Sequence, residues 1–81
     1  MNAWIKRKNL PDEVVSIIHD TQCTDAPLAY NLYTAFEGVY LGRILFDDQG
    51  YWIYDGVELI IPEQEQLGKF IRQNMEVLWS S

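Results

Sequence analysis

Two strand-like runs, VYLGRILF at 39–46 and YWIYDG at 51–56, stand on either side of the short acidic connection DDQG. No other feature of this 81-residue chain limits its fold as strongly. A short loop forces the two runs to lie antiparallel, and its chemistry sets their register. With Asp48, Gln49 and Gly50 as the loop and Gly50 in the left-handed conformation, Phe46 faces Trp52, Leu45 faces Ile53, Ile44 faces Tyr54 and Arg43 faces Asp55. Upstream, LAYNLYTAF is joined to VYLGRILF through Glu37-Gly38. A two-residue turn there places Phe36 opposite Val39 and Thr34 opposite Leu41. Residues 28–61 therefore form an expected three-stranded antiparallel meander.

The flanks read as helices. From Pro62 onward, Glu63 and Glu65 occupy a first turn, where they complement the positive end of the helix dipole. Leu67, Phe70, Ile71, Asn74, Met75 and Leu78 recur along one side, so a C-terminal helix is expected at 62–78. Gly68 lies inside that helix and points to a close approach to the sheet. Near the start, Pro11, Asp12 and Glu13 suit a first turn and Leu10, Val14, Ile17 and Ile18 recur at helical spacing, so a helix is expected at about 11–22. The β-branched run VVSII keeps a strand at 14–19 as the alternative. Residues 1–9 allow a short edge strand or an arm.

The expected fold is thus one α+β domain over residues 1–81, with element order α-β-β-β-α. Double-stranded-RNA-binding domains share that order. Here, however, the last helix opens PEQEQLGKF, acidic where those domains carry a lysine-rich phosphate grip, so the order is a coincidence of topology.

The ladder sorts the side chains into two faces. Leu32, Phe36, Val39, Leu41, Leu45 and Ile53, with an Arg43–Asp55 pair, form an aliphatic face. Tyr33, Ala35, Tyr40, Ile44, Phe46, Trp52 and Tyr54 form an aromatic one. A one-residue slip within a strand would exchange the sets. An antiparallel sheet with one wet face should alternate apolar and polar residues, and this one does not. The C-terminal helix covers one face, best the aliphatic one. The aromatic face then needs the N-terminal segment, a second copy or a partner.

Charge narrows the functions. The net charge is −6, and after the basic cluster Lys6, Arg7 and Lys8 the remainder holds three cations against twelve acids. Such a surface repels phosphate backbones, so direct nucleic-acid binding is not expected. Asp47, Asp48, Asp55, Glu58, Glu63 and Glu65 fall within nineteen residues and suit a basic partner surface. The basic cluster would give only weak, salt-sensitive attraction to an anionic surface, or pair with the acidic end of another copy.

Chemistry-bearing patterns are sparse. FDDQGYWIYDG lacks the alternating oxygen ligands and distal Glu of a calcium loop. His19 and Cys23, four apart on the expected helix, are the chain's only His and Cys and fall short of a structural zinc set. No pair of acids is singled out for acid–base work, and Gly38, Gly42, Gly50 and Gly56 are too dispersed for a phosphate loop. No catalytic residue, cofactor or metal is expected. One cysteine excludes an internal disulfide, no run is long enough to span a membrane, and MNAWIKRKNLPDE has no apolar stretch behind its basic residues. A cytoplasmic location is the expectation.

The reading that follows is a small acidic protein-binding module, acting as regulator, inhibitor or accessory subunit. Tyr33, Tyr40, Phe46, Trp52 and Tyr54 would anchor the partner, and Asp47, Asp48 and Asp55 would steer it. The alternatives are a structural homo-oligomer burying the same face and a nucleic-acid-mimicking inhibitor of a basic protein.

Overall fold

A computed structural model describes residues 1–22, 24 and 26–79, with side chains through Asn74. Five strands, β1 (Asn2–Ile5), β2 (Glu13–His19), β3 (Leu28–Thr34), β4 (Tyr40–Phe46) and β5 (Trp52–Asp55), form one antiparallel sheet in sequence order. A single helix, α1 (Ile61–Trp79), follows them. Among the described residues no helix is long and apolar enough to cross a membrane.

This corrects the expected architecture. No helix forms at 11–22, and the sheet has five strands rather than three. The apolar residues of β2 follow a period of two: Val15 and Ile17 are buried, whereas Ile18 is exposed. Leu10, which completed the helical face, is an exposed residue of the β1–β2 loop. Val, Val, Ile and Ile lose less side-chain freedom on a pleated surface than in a helix, and β1 and β3 both offer partners for this run. The His19/Cys23 pairing fails with the helix. His19 ends β2 with its ring 5.3 Å from that of Tyr30, and Cys23 lies outside the described residues.

The β4–β5 hairpin has the register derived from its loop: Phe46↔Trp52, Leu45↔Ile53, Ile44↔Tyr54 and Arg43↔Asp55. Asp47 organises the turn. One carboxylate oxygen accepts from the backbone N–H groups of Gln49 and Tyr51, both at 2.9 Å, and Gly50 has φ +89°. The β3–β4 connection departs from its expected two-residue turn. Thr34 N–H donates to the Val39 carbonyl, Thr34 Oγ1 accepts from Val39 N–H, and four residues loop between them. Phe36 is consequently exposed rather than paired with Val39. A bulge follows at Leu41, so that Leu32 pairs with Gly42 and Tyr33 with Tyr40. Gly42 sits at φ +106°, a conformation that glycine tolerates.

Helix α1 lies on one face of the sheet. Among the described residues of α1, Glu63, Leu67 and Ile71, at i, i+4 and i+8, are buried together with Gly68, and Phe70 is half-buried beside them. Met75 and Leu78, expected on the same side, have side chains outside those described. The helix reaches both edges of the sheet. Gln66 clamps the chain just after β1, its Oε1 accepting from Lys6 N–H at 2.7 Å and its Nε2 donating to the Lys6 carbonyl at 2.9 Å. At the other edge, Gly68 rests against the indole of Trp52 in β5. The core between helix and sheet includes Ile5, Val15, Ile17, Tyr30, Leu32, Ile44, Phe46, Leu67 and Ile71.

Candidate binding surface

The helix covers the face of Ile44, Phe46, Trp52 and Tyr54, the reverse of the expected assignment, while the bulge at Leu41 leaves Tyr33 and Tyr40 on the other side and Leu32 and Leu41 in the core. Ile44 and Phe46 are fully buried, and Trp52 and Tyr54 are half-buried against the core. The partners across each ladder explain why. Phe46 and Trp52 stand in line with Leu28, and Ile44 and Tyr54 with Tyr30, so all point to the side where Leu67 and Ile71 pack. Gly68 leaves room for the Trp52 indole at that edge, because a side chain there would overlap the ring. Phe46 is therefore a core residue, and Trp52 and Tyr54 pack partly against the core.

The opposite face is turned away from α1. Register places its side chains in rows across the strands. One row runs Asn2, Ser16, Tyr33, Tyr40; the next Ile18, Asn31, Arg43, Asp55; a third Ala29, Leu45, Ile53; and Trp4 stands beside Val14 at the β1 edge. Trp4 is 75% exposed, Ile53 65%, Ile18 52% and Tyr40 49%. Of the expected anchors, Tyr33 and Tyr40 belong to this face, with ring centroids 5.4 Å apart. The Tyr40 hydroxyl donates to Asn31 Oδ1 at 3.3 Å. Partial burial raises its pKa above the ordinary tyrosine value, with the positive charge of Arg43 opposing the shift.

Arg43 and Asp55 form an ion pair at 2.9 Å in the middle of this surface. Because Asp55 is largely exposed, the pair adds little to stability. Trp4, Ile18, Leu45 and Ile53 were missed as surface residues. The signal was present in β2, where alternation separates Val15 and Ile17 from Ser16 and Ile18, and it was obscured by the helical spacing of Leu10, Val14 and Ile17.

The acids do not make one rim. Asp47 and Asp48 stand in the β4–β5 loop, exposed, at the opposite end of β5 from Asp55 and Glu58. Glu63 is buried. Its Oε2 accepts from Arg7 Nε at 2.8 Å, and its Oε1 caps the helix by accepting from Ile60 N–H at 3.0 Å. Arg7 also meets Glu13 at 3.6 Å. The basic cluster is thus partly consumed: Arg7 is tied to β2 and α1, leaving Lys6 and Lys8 exposed.

An open cleft of about 230 Å³ indents the sheet end that carries Asp47. Leu45, Ile53 and Tyr51 line it from the hairpin, and Ala26 and Pro27 from the β2–β3 connection. Among the described residues no group of three or more His, Cys, Asp or Glu is arranged to hold a metal ion. Compared with known proteins, the chain matches no family model, no curated protein and no solved structure.

Proposed function

We propose that this chain is a protein-binding module that acts by docking a partner on the sheet face turned away from α1, without catalysis of its own. The observation that carries the reading is the exposure of Trp4, Ile18, Tyr40 and Ile53 on one side of a single sheet. Scattered exposed apolar residues are ordinary, but contiguous ones backed by a rigid ladder favour association. Tyr and Trp suit such a role because each joins a large ring to a polar handle. Tyr33 and Tyr40 remain as anchors from the sequence reading, now joined by Trp4, Ile18, Leu45 and Ile53. The net charge of −6 favours a partner with a basic surface, which long-range attraction would draw in.

The test is comparative. Full-length chain, an Ile18→Asp variant, a Tyr40→Asp variant and a helix-surface variant, Lys69→Asp, are used to capture proteins from the native host. Partners retained by wild type and Lys69→Asp but lost by both face variants support the reading. Partners lost with none of them, or with Lys69→Asp alone, refute it.

One observation favours a second reading, self-association. On the open face Arg43 and Asp55 form an ion pair, so part of its charge is compensated. Two acidic copies could meet through such a patch with their remaining charges turned outward. Sedimentation equilibrium decides it. A dimer at micromolar concentration that Ile18→Asp converts to monomer would replace the partner reading with this one. The acids, divided between both ends of the sheet, give the nucleic-acid-mimicking alternative no continuous strip to stand on.

A further inference from the structure

The cleft beside the β4–β5 hairpin lies where the open face meets an end of the sheet. Its apolar floor comes from Leu45 and Ile53, cross-strand partners on that face, and its walls from Pro27, Ala26 and Tyr51. Its lining holds no Lys or Arg, and its one charged residue is Asp47. Asp47 lines the cleft itself, and Asp48 follows it, exposed to solvent. Arg72, the cation that approaches this hairpin, does so from the helix, beside Gly50.

Size and charge together select an occupant. A volume of about 230 Å³ is below the range of sites that enclose a metabolite, and it fits one aliphatic or aromatic side chain. Aspartates at the rim favour cations flanking that side chain, and they disfavour an acidic or phosphorylated segment. We propose that the cleft seats a single apolar side chain of a partner polypeptide whose neighbouring residues are Lys or Arg. This rests on the reading of the open face as a docking surface and names the chemistry of what docks. The apolar residue supplies desolvation in a bounded pocket, the setting in which interface anchors concentrate their energy. The flanking cations set the register over Asp47 and Asp48.

The experiment uses the full chain with assigned methyl resonances and three capped pentapeptide probes: Lys-Lys-Leu-Lys-Lys, the same peptide with Gly in place of Leu, and Glu-Glu-Leu-Glu-Glu. The first should shift the Leu45 and Ile53 methyls saturably, with a Kd of about 1 mM or tighter, a range open to a short peptide with one anchor. The Gly probe and the acidic probe should each bind at least about fivefold more weakly, and an Asp47→Asn/Asp48→Asn variant should weaken the first probe by a similar factor. Asparagine preserves the turn-forming acceptor of Asp47, so the hairpin is kept.

Equal binding of the Leu and Gly probes would show charge attraction without a seated side chain and would overturn the proposal. So would binding of the acidic probe as tight as the basic one, or no movement of Leu45 and Ile53 with any probe. In that last case, a partner whose capture still depends on Ile18 and Tyr40 would leave the docking-face reading standing while the cleft is dismissed.

Discussion

The indole of Trp52 packs against α1 at Gly68, so closely that a methyl group on Gly68 would overlap the ring. This contact joins the last strand to the helix. It also opposes a simple expectation. In an unconstrained helix interior, Gly→Ala stabilises by about 1 kcal/mol. Here the Gly68→Ala variant should be less stable than wild type by about 1–2 kcal/mol, because overpacking against a half-buried ring outweighs propensity. Urea unfolding followed by far-ultraviolet circular dichroism checks the sign. A stabilised variant would show that the indole moves aside at little cost.

Tyr54 has a second structural task at the β4 bulge. Its hydroxyl donates to the carbonyl of Leu41, and it accepts from Glu58 N–H at 3.2 Å. The ring also lies over Gly42 and Gly56, where side chains would collide with it. Tyr54→Phe keeps the ring and removes both hydrogen bonds. The expected loss is about 1–2 kcal/mol of stability, with faster amide hydrogen exchange at Glu58. Unchanged exchange at Glu58 would mean that the hydroxyl does not hold this loop.

These two side chains also show how far the sequence could be read. Asp47 and Gly50 determined the β4–β5 register locally, because turn chemistry is a short-range property. Pro62, Glu63 and the Leu67/Ile71 spacing marked α1 for the same reason. The face α1 covers is the one where Gly68 meets Trp52, a tertiary contact that no local pattern encodes. The segment Val14–Ile18 satisfied both periods, since Val14, Ile17 and Ile18 fit a helix while Val15 and Ile17 fit a strand. Pairing with β1 and β3 decided between them. Phe46, Trp52 and Tyr54 consequently moved from a supposed binding face to the side covered by α1, while Tyr33 and Tyr40 stayed outside.

The Arg7–Glu63 pair fastens the β1–β2 loop to the start of α1. The Glu63 side chain is only 4% exposed and Arg7 18%. Arg7→Met retains much of the apolar stem but leaves a buried carboxylate without its guanidinium partner. The expected cost is about 2–3 kcal/mol, less than for a fully enclosed pair because Arg7 keeps some contact with water. Glu63→Gln should cost less, since the amide oxygen can still accept from Ile60 N–H. Paired urea titrations of the two variants test that order.

Burial raises the Tyr30 pKa above its ordinary value of 10.0. Its ring meets Phe46 edge-on, with centroids 6.1 Å apart. The unfolded chain therefore releases this proton at a lower pH than the folded one. The linked stability is present in full below about pH 10 and is lost as pH rises through the folded-state value. Tyr30→Phe should flatten the decline of stability above pH 10 relative to wild type, without changing the slope at neutral pH. Urea midpoints measured from neutral to strongly alkaline pH check this. An identical alkaline slope in the variant would assign the loss to other groups.

Ile17 and Ile18 are neighbours in β2 on opposite sides of the sheet, and they separate folding from docking. Ile17 is 3% exposed and packs in the core, so Ile17→Ala should cost about 2–4 kcal/mol. Ile18 is 52% exposed on the open face, so Ile18→Ala should stay within about 0.5 kcal/mol of wild type. Equal losses at both positions would require Ile18 to be buried too, which would mean that the open face is covered in solution, as a stable dimer would cover it. A loss at Ile18 that grows with protein concentration would identify that dimer directly, because stability gained through association follows mass action. A small loss independent of concentration leaves the face free for a partner of different chemistry.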